Sequence, residues 1–282
     1  MGNRKPKTLI LDIYGAYARQ LSGWLAVAEL VKLMGELGMD EQAVRSTVSR
    51  MTRRGLLVQE RRDRVQGYCL SVEGLRIIEE GDRRIFSSKE PADLTDGWVL
   101  VAFSMPEKDR DKRHLLRSRL TWLGFGKLSS GVWIAPRRIL PELMETIRAL
   151  GFEEYVNVFH AVYRGFSDLI EIVGRSWDLD VMREFYLEFL RECQPILRRW
   201  SHAGTRPEGQ SAFIDYTLTL HRWRKFPYLD PGLPSELLPS NWEGYAAADA
   251  FFDVRSLLEI PAQRYVEGLV LAGRASALQA SS

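Results

Sequence analysis

One stretch of the chain constrains its architecture more than any other. Between Asp40 and Gly55, the apolar residues Val44, Val48 and Met51 recur at intervals of three and four. At about 100° per residue they lie within roughly 60° of one another on a helix. Asp40 predicts the N-cap and Gly55 the stop of a helix over 41–54. Gln42, Arg45, Ser46, Ser49 and Arg53 then cluster opposite the apolar edge, with Arg50 and Arg54 at the margins. Such a helix buries one edge and presents arginine, glutamine and serine on the other side.

The flanking segments predict what it packs against. Lys7–Ala18 has one apolar stripe through Leu9, Ile10, Ile13, Tyr14 and Tyr17, and Val27–Leu37 another, ended by Gly38. Trp24–Ala26 reads as a short extended piece. Leu56–Arg61 and Tyr68–Ser71 read as a hairpin joined by a charged turn over 62–67, and Val72–Phe86 as a closing helix. That order is expected of a winged helix-turn-helix over residues 1–86. These residues hold 15 Lys/Arg against 11 Asp/Glu, and Arg45–Arg64 alone holds seven arginines against Glu60 and Asp63. A local basic patch on a chain of net charge +2 points to an anionic partner at one place. Arginine pairs with guanine through two hydrogen bonds, glutamine with adenine, and serine tolerates either, so the expected partner is double-stranded DNA in its major groove. Arg50 and Arg54 suit phosphates, and Arg61, Arg62 and Arg64 at the hairpin tip a neighbouring groove or backbone. A solvated helix face, or a winged helix that binds protein, is the alternative.

Residues 87–97 read as a linker. From Trp98–Ser104 to Tyr155–Tyr163 the pattern is strand, helix, hairpin, helix, strand, which predicts a ferredoxin-like βαββαβ domain over 98–165 acting as a pairing module. Gly124-Phe-Gly126-Lys127 has the look of a phosphate-loop fragment, but it follows a helix rather than a strand. His114 and His160 have no partner at metal-ligand spacing. No nucleophile triad, HExxH or paired-carboxylate motif is present, so no catalytic residue, metal or cofactor is expected. A metal-dependent nuclease on this domain is the competing reading, with Asp109 and Asp111 as its nearby acids; at a helix start they serve equally to offset the helix dipole.

Residues 166–282 are expected to be helical, serving dimerisation and effector binding. Helical spacing runs from Asp178 through Phe189 with a kink expected at Pro195, then over about 207–225, and from Trp242 to about Leu271, with 275–282 frayed. Trp223, Phe226, Tyr228 and Trp242 lie close in sequence to Arg222, Arg224 and Lys225. That mixture is more often a core edged by snorkelling arginines; the alternative is an aromatic acyl group held beside an anionic carrier.

The whole is therefore expected to be an α+β multidomain protein. The longest apolar run, Trp98–Phe103, is far short of the ~20 residues that cross a bilayer, and no membrane partner is expected. Cys69 and Cys193 are isolated and the N-terminus is charged, which suggests a reducing, cytoplasmic setting.

Three groups of residues carry a family likeness. Ala43-Val-Arg-Ser-Thr-Val-Ser-Arg-Met51 with Arg54-Gly-Leu-Leu57, Trp122-Leu-Gly-Phe-Gly126 with Gly131-Val-Trp-Ile-Ala-Pro136, and Leu237-Leu-Pro-Ser-Asn-Trp242-Glu-Gly244 together resemble the PaaX family of repressors of phenylacetic acid degradation operons. The likeness spans nearly the whole chain in matching order. It implies a homodimer on an inverted-repeat operator, released by an aryl-CoA thioester such as phenylacetyl-CoA. The effector is then expected between the middle and C-terminal domains, with Arg137, Arg138, Arg222, Arg224 and Lys225 toward the CoA phosphates and Trp223 and Trp242 toward the acyl group. The middle domain is similar to the small nuclease subunit of CRISPR adaptation. Ser104-Met105-Pro106 stands where that family carries a metal-binding aspartate, which argues against cleavage. A ligand-independent DNA-binding regulator is a further alternative.

Overall fold

The computed structural model describes residues 5–87, 91–201 and 209–279. In chain order the helices and strands are α1 (Pro6–Ile13), α2 (Arg19–Leu21), β1 (Trp24–Ala26), α3 (Val27–Glu36), α4 (Glu41–Arg53), β2 (Leu57–Arg62), β3 (Val65–Leu70) and α5 (Val72–Ser87). There follow β4 (Trp98–Phe103), α6 (Arg110–Trp122), β5 (Gly126–Ser129), β6 (Val132–Pro136), α7 (Leu140–Leu150) and β7 (Val156–Ala161). Then come α8 (Leu169–Ser176), α9 (Leu179–Trp200), α10 (Gly209–Trp223), α11 (Phe226–Leu229) and α12 (Glu243–Gln279). The fold is α+β, with two small sheets. Two compact units form: residues 1–83, 191–223 and 249–282, and residues 84–190 and 224–248.

In the first unit β3 pairs antiparallel with both β1 and β2, giving a sheet of order β1-β3-β2. Its core joins the stripes read from the sequence, Leu9, Ile13 and Tyr17 of the N-terminal segment with Leu30, Met34, Leu37, Val44, Val48 and Met51, to residues far downstream. Phe213 and Tyr216 of α10 and Val254, Leu258, Ala262 and Val266 of α12 complete it. Helical periodicity in the last third thus reports burial against the N-terminal helices, which spacing alone does not reveal. The segment expected as a helix over 7–18 passes through a π-helical turn, Tyr14–Ala18, before α2. The hairpin is longer than expected. Asp63 and Arg64 have φ of 46° and 67° and close it in two residues. A left-handed pair matches the twist of the flanking strands, so the ladder continues through charged residues that read as a loop.

In the second unit four antiparallel strands lie in the order β5-β6-β4-β7, the split βαβ arrangement expected from the βαββαβ pattern. One face, Val99, Val101, Phe103, Trp133 and Ala135, is covered by Leu116 and Leu120 of α6 and Leu143 and Ile147 of α7. The phosphate-loop look of Gly124–Gly126 has a packing explanation. Gly124 has φ 84° just past α6, and a Cβ on Gly126 would stand 2.7 Å from the Trp177 ring. The Trp177 indole N–H donates to the Gly124 carbonyl at 2.9 Å.

Helix α8, capped by Asp168 donated to by the Ile170 N–H at 2.9 Å, had no counterpart in the sequence reading. Helix α9 runs through Pro195, and α12 runs through Pro261 beyond Leu271 to Gln279. Residues 88–90 of the expected linker, Pro207 at the start of the expected 207–225 helix, and 280–282 of the expected frayed end lie outside the described residues. Among the described residues no helix is long and apolar enough to cross a membrane, and no three His, Cys, Asp or Glu side chains group as metal ligands. Asp109 pairs with Lys112 at 3.1 Å; His114 is exposed, and His160 Nε2 lies 3.0 Å from the Asp96 carbonyl oxygen.

Candidate nucleic-acid interface

Helix α4 forms where its caps dictate. The Asp40 carboxylate accepts the Ala43 N–H at 3.0 Å, and Gly55, at φ 69°, follows the last turn. Asp40→Ala should cost about 1 kcal/mol of stability in a urea melt, within the usual range for a lost N-cap. Val44, Thr47, Val48 and Met51 are buried. Gln42, Arg45, Ser46, Ser49, Arg50, Arg53 and Arg54 are all exposed, so the structure brings the expected polar face together on one helix. Glu41, which sequence reading passed over, edges this face. Its carboxylate accepts from Arg45 Nε at 2.7 Å, and the pair is open to solvent, with side chains 55% and 59% exposed. The spacing of four residues is the signal that would have found it. Arg50 Nη2 donates to Thr47 Oγ1 at 2.9 Å.

The hairpin tip is less uniform than its sequence suggests. Arg61 and Arg64 are exposed, with Arg61 Nε donating to the Arg64 carbonyl at 3.0 Å. Arg62 instead forks onto Glu60 at 2.8 and 3.2 Å, and its guanidinium stands 5.4 Å from the centroid of the Trp24 ring. The hydrogen bond from Arg62 holds the Glu60 carboxyl below the usual carboxylate range. Trp24 is buried against β3, where a Cβ on Gly67 would stand 2.3 Å from the indole, so glycine is required there. Arg62 is therefore part of the joint that fixes the hairpin to β1.

The residues expected to meet an effector are dispersed. Trp223 is buried and stacked on Phe251 at 4.9 Å, both in the first unit, where Arg222 pairs with Glu192 at 2.7 Å. In the second unit Trp242 is buried edge-on to Tyr186, Arg138 Nε donates to the Pro231 carbonyl at 2.8 Å, and Arg137 and Lys225 are exposed. Arg224 is half-buried. Arg84 had no signal in the sequence at all. It is buried, donates to the Leu123 carbonyl at 3.0 Å, pairs with Glu142 at 3.0 Å and lies 4.7 Å from the Tyr228 ring centroid. Burial lowers its pKa, and its partners are backbone groups and residues remote in sequence.

Comparison with known proteins follows the same segments. Residues 5–74 match the family model for PaaX-like protein, 91–173 that for the PaaX protein central Cas2-like domain, and 177–268 that for the PaaX-like protein C-terminal domain. The chain is 28% identical over 246 residues to the transcriptional repressor PaaX of Escherichia coli (strain K12), covering 85% of this chain and 76% of that protein. Among solved structures it is similar in fold to the uncharacterized protein Rv0674 from Mycobacterium tuberculosis. The TM-score is 0.58 at 22% identity, over 91% of this chain and 96% of the other.

Proposed function

The chain belongs to the PaaX family, and from that premise we propose that it is a transcriptional repressor that binds operator DNA through residues 1–86 as a winged helix-turn-helix. The observation that carries the reading is the α4 surface: six exposed arginine, glutamine and serine residues on one helix and Arg54 just after it, beside a hairpin whose tip carries Arg61 and Arg64. Helix α4 is the recognition helix. Gln42, Arg45, Ser46, Ser49 and Arg53 face base edges, and Arg50 and Arg54 face phosphates. Arg62 supports the wing, through Glu60 and Trp24, rather than reaching out from it.

The ferredoxin-like segment, residues 98–165, is the pairing module of a homodimer, and residues 166–282 form the helical effector and dimerisation segment. Two-fold symmetry then requires an inverted repeat, with half-sites one helical turn, roughly 34–36 Å, or a multiple of it apart. The regulated genes are those of phenylacetate-type aromatic catabolism, and an aryl-CoA thioester releases the protein. For release, the thioester must bind the DNA-incompetent arrangement more tightly than the competent one. Within the second unit, Arg137, Arg138, Arg224 and Lys225 are the candidates for its phosphates, with Trp242 for its acyl group. A folded Trp242→Ala variant that still releases DNA at the wild-type thioester concentration removes Trp242 from that role.

Fluorescence anisotropy on the DNA upstream of the protein's own gene cluster tests the reading. Expected is binding that weakens steeply with salt and is abolished by phenylacetyl-CoA. Absence of binding would overturn it. On such DNA, Arg61→Ala should weaken operator and random duplex alike and reduce the salt slope by about 1, as loss of one phosphate contact does.

A further inference from the structure

A cleft of about 610 Å³ opens in the first unit, bordered by the β2–β3 turn, the start of α3 and Gly273 and Arg274 of α12. That volume lies in the ~300–1,000 Å³ range of small-molecule sites. Its walls are mostly apolar, from Trp24, Ala26, Ala28 and Val65.

The charges around it are unequally matched. Arg62 is neutralised by Glu60. Glu29 is occupied in capping α3, accepting the Ala26 N–H at 2.8 Å, and burial pushes its carboxyl pKa up. Asp63 is exposed in the turn. Arg64 and Arg274 line the cleft with no carboxylate at ion-pair distance among the described residues, although the charge of Arg274 acts on Glu29 in the same lining. Arg274 donates to Ser22 Oγ at 3.2 Å, and its guanidinium stands 6.0 Å from the Trp24 ring centroid. Two guanidiniums held in no ion pair, beside an aliphatic wall, recognise one kind of molecule: an anionic group carried on an apolar body.

We propose that this cleft binds a small organic anion, its charged end on Arg64 and Arg274 and its apolar body against Ala28 and Val65. The site is additional to the thioester proposed above and distinct from the α4 face. Because Arg64 belongs to the wing turn, an occupant would compete with its contact to DNA; that consequence alone rests on the operator reading.

The test uses the full chain without DNA and 1-anilinonaphthalene-8-sulfonate, an aromatic anion that fluoresces on leaving water. Expected is a saturable rise in emission with one site per chain, its Kd weakened at least tenfold in Arg274→Glu and in Ala28→Phe. Ala28 is exposed, so the added ring enters the cleft and not the core. Unchanged melting temperatures establish that the variants are folded, and Ala28→Phe decides alone if Arg274→Glu does not fold. Titrations that superpose for wild type and folded variants overturn the site, as does a wild type that gives no rise. Operator binding is read separately by anisotropy. A protein that takes the dye in this cleft but binds no DNA keeps the site and loses the repressor reading.

Discussion

Replacing Arg45 by alanine should weaken binding to the operator by about 1–3 kcal/mol, roughly a five- to 150-fold loss, while affinity for random duplex changes far less. Arg45 stands near the middle of the exposed face of α4, and its guanidinium offers the paired donors that match guanine O6 and N7. The ion pair with Glu41 does not tie it down. An exposed pair of this spacing contributes only about 0.3–0.5 kcal/mol, less than a bidentate base contact. Because the pair contributes so little, Glu41→Gln should leave operator affinity within about threefold of wild type. The measurement is anisotropy on operator and random DNA at one salt concentration. Specificity at one base position should relax with Arg45→Ala. Equal losses on the two DNAs would sink the base-reading role and make Arg45 a phosphate contact.

What could be read in advance was whatever depends on neighbours within one or two turns of chain. The α4 boundaries follow from Asp40 and Gly55, and α7 ends at Leu150, where Gly151, at φ 65°, takes the left-handed position after it. The all-apolar Trp98–Phe103 run read as a buried strand and is one, lying between β6 and β7. Interactions across long separations left no such trace. Arg84 looks like any arginine near a helix end until the carbonyls of Trp122 and Leu123 meet it. Trp223 and Trp242 had the composition of a ligand box, but composition does not say whether a ring faces open space or another ring. Phe251 and Tyr186 already cover them. In the interface, the helix face was legible because a 3.6-residue period sorts side chains by direction. Arg62 was not, because its direction depends on Trp24, in a different strand.

The same blindness to distant partners hid the pair whose loss should destabilise the protein most. Asp12 of α1 and His221 of α10 are 209 positions apart, and the His221 Nδ1–H donates to Asp12 Oδ2 at 2.7 Å with both side chains buried. A buried carboxyl group needs hydrogen-bond partners in place of the water it has lost. His221→Ala removes a donor and opens a cavity beside it, and should cost about 3–5 kcal/mol in urea denaturation, the usual consequence of breaking a buried pair from one side. Removing both groups has a different consequence. Asp12→Leu with His221→Leu leaves neither polar group buried without the other and fills most of the volume, so the double variant should recover most of that loss. The comparison separates electrostatics from packing. If the double variant is as unstable as His221→Ala or worse, the imidazole matters by shape, through its fit between α1 and α10. Recovery assigns the cost to the loss of the imidazole donor beside Asp12. In that case the attachment of α10 to the N-terminal helices draws on this polar contact beside the buried Tyr17–Thr217 hydrogen bond at 2.6 Å.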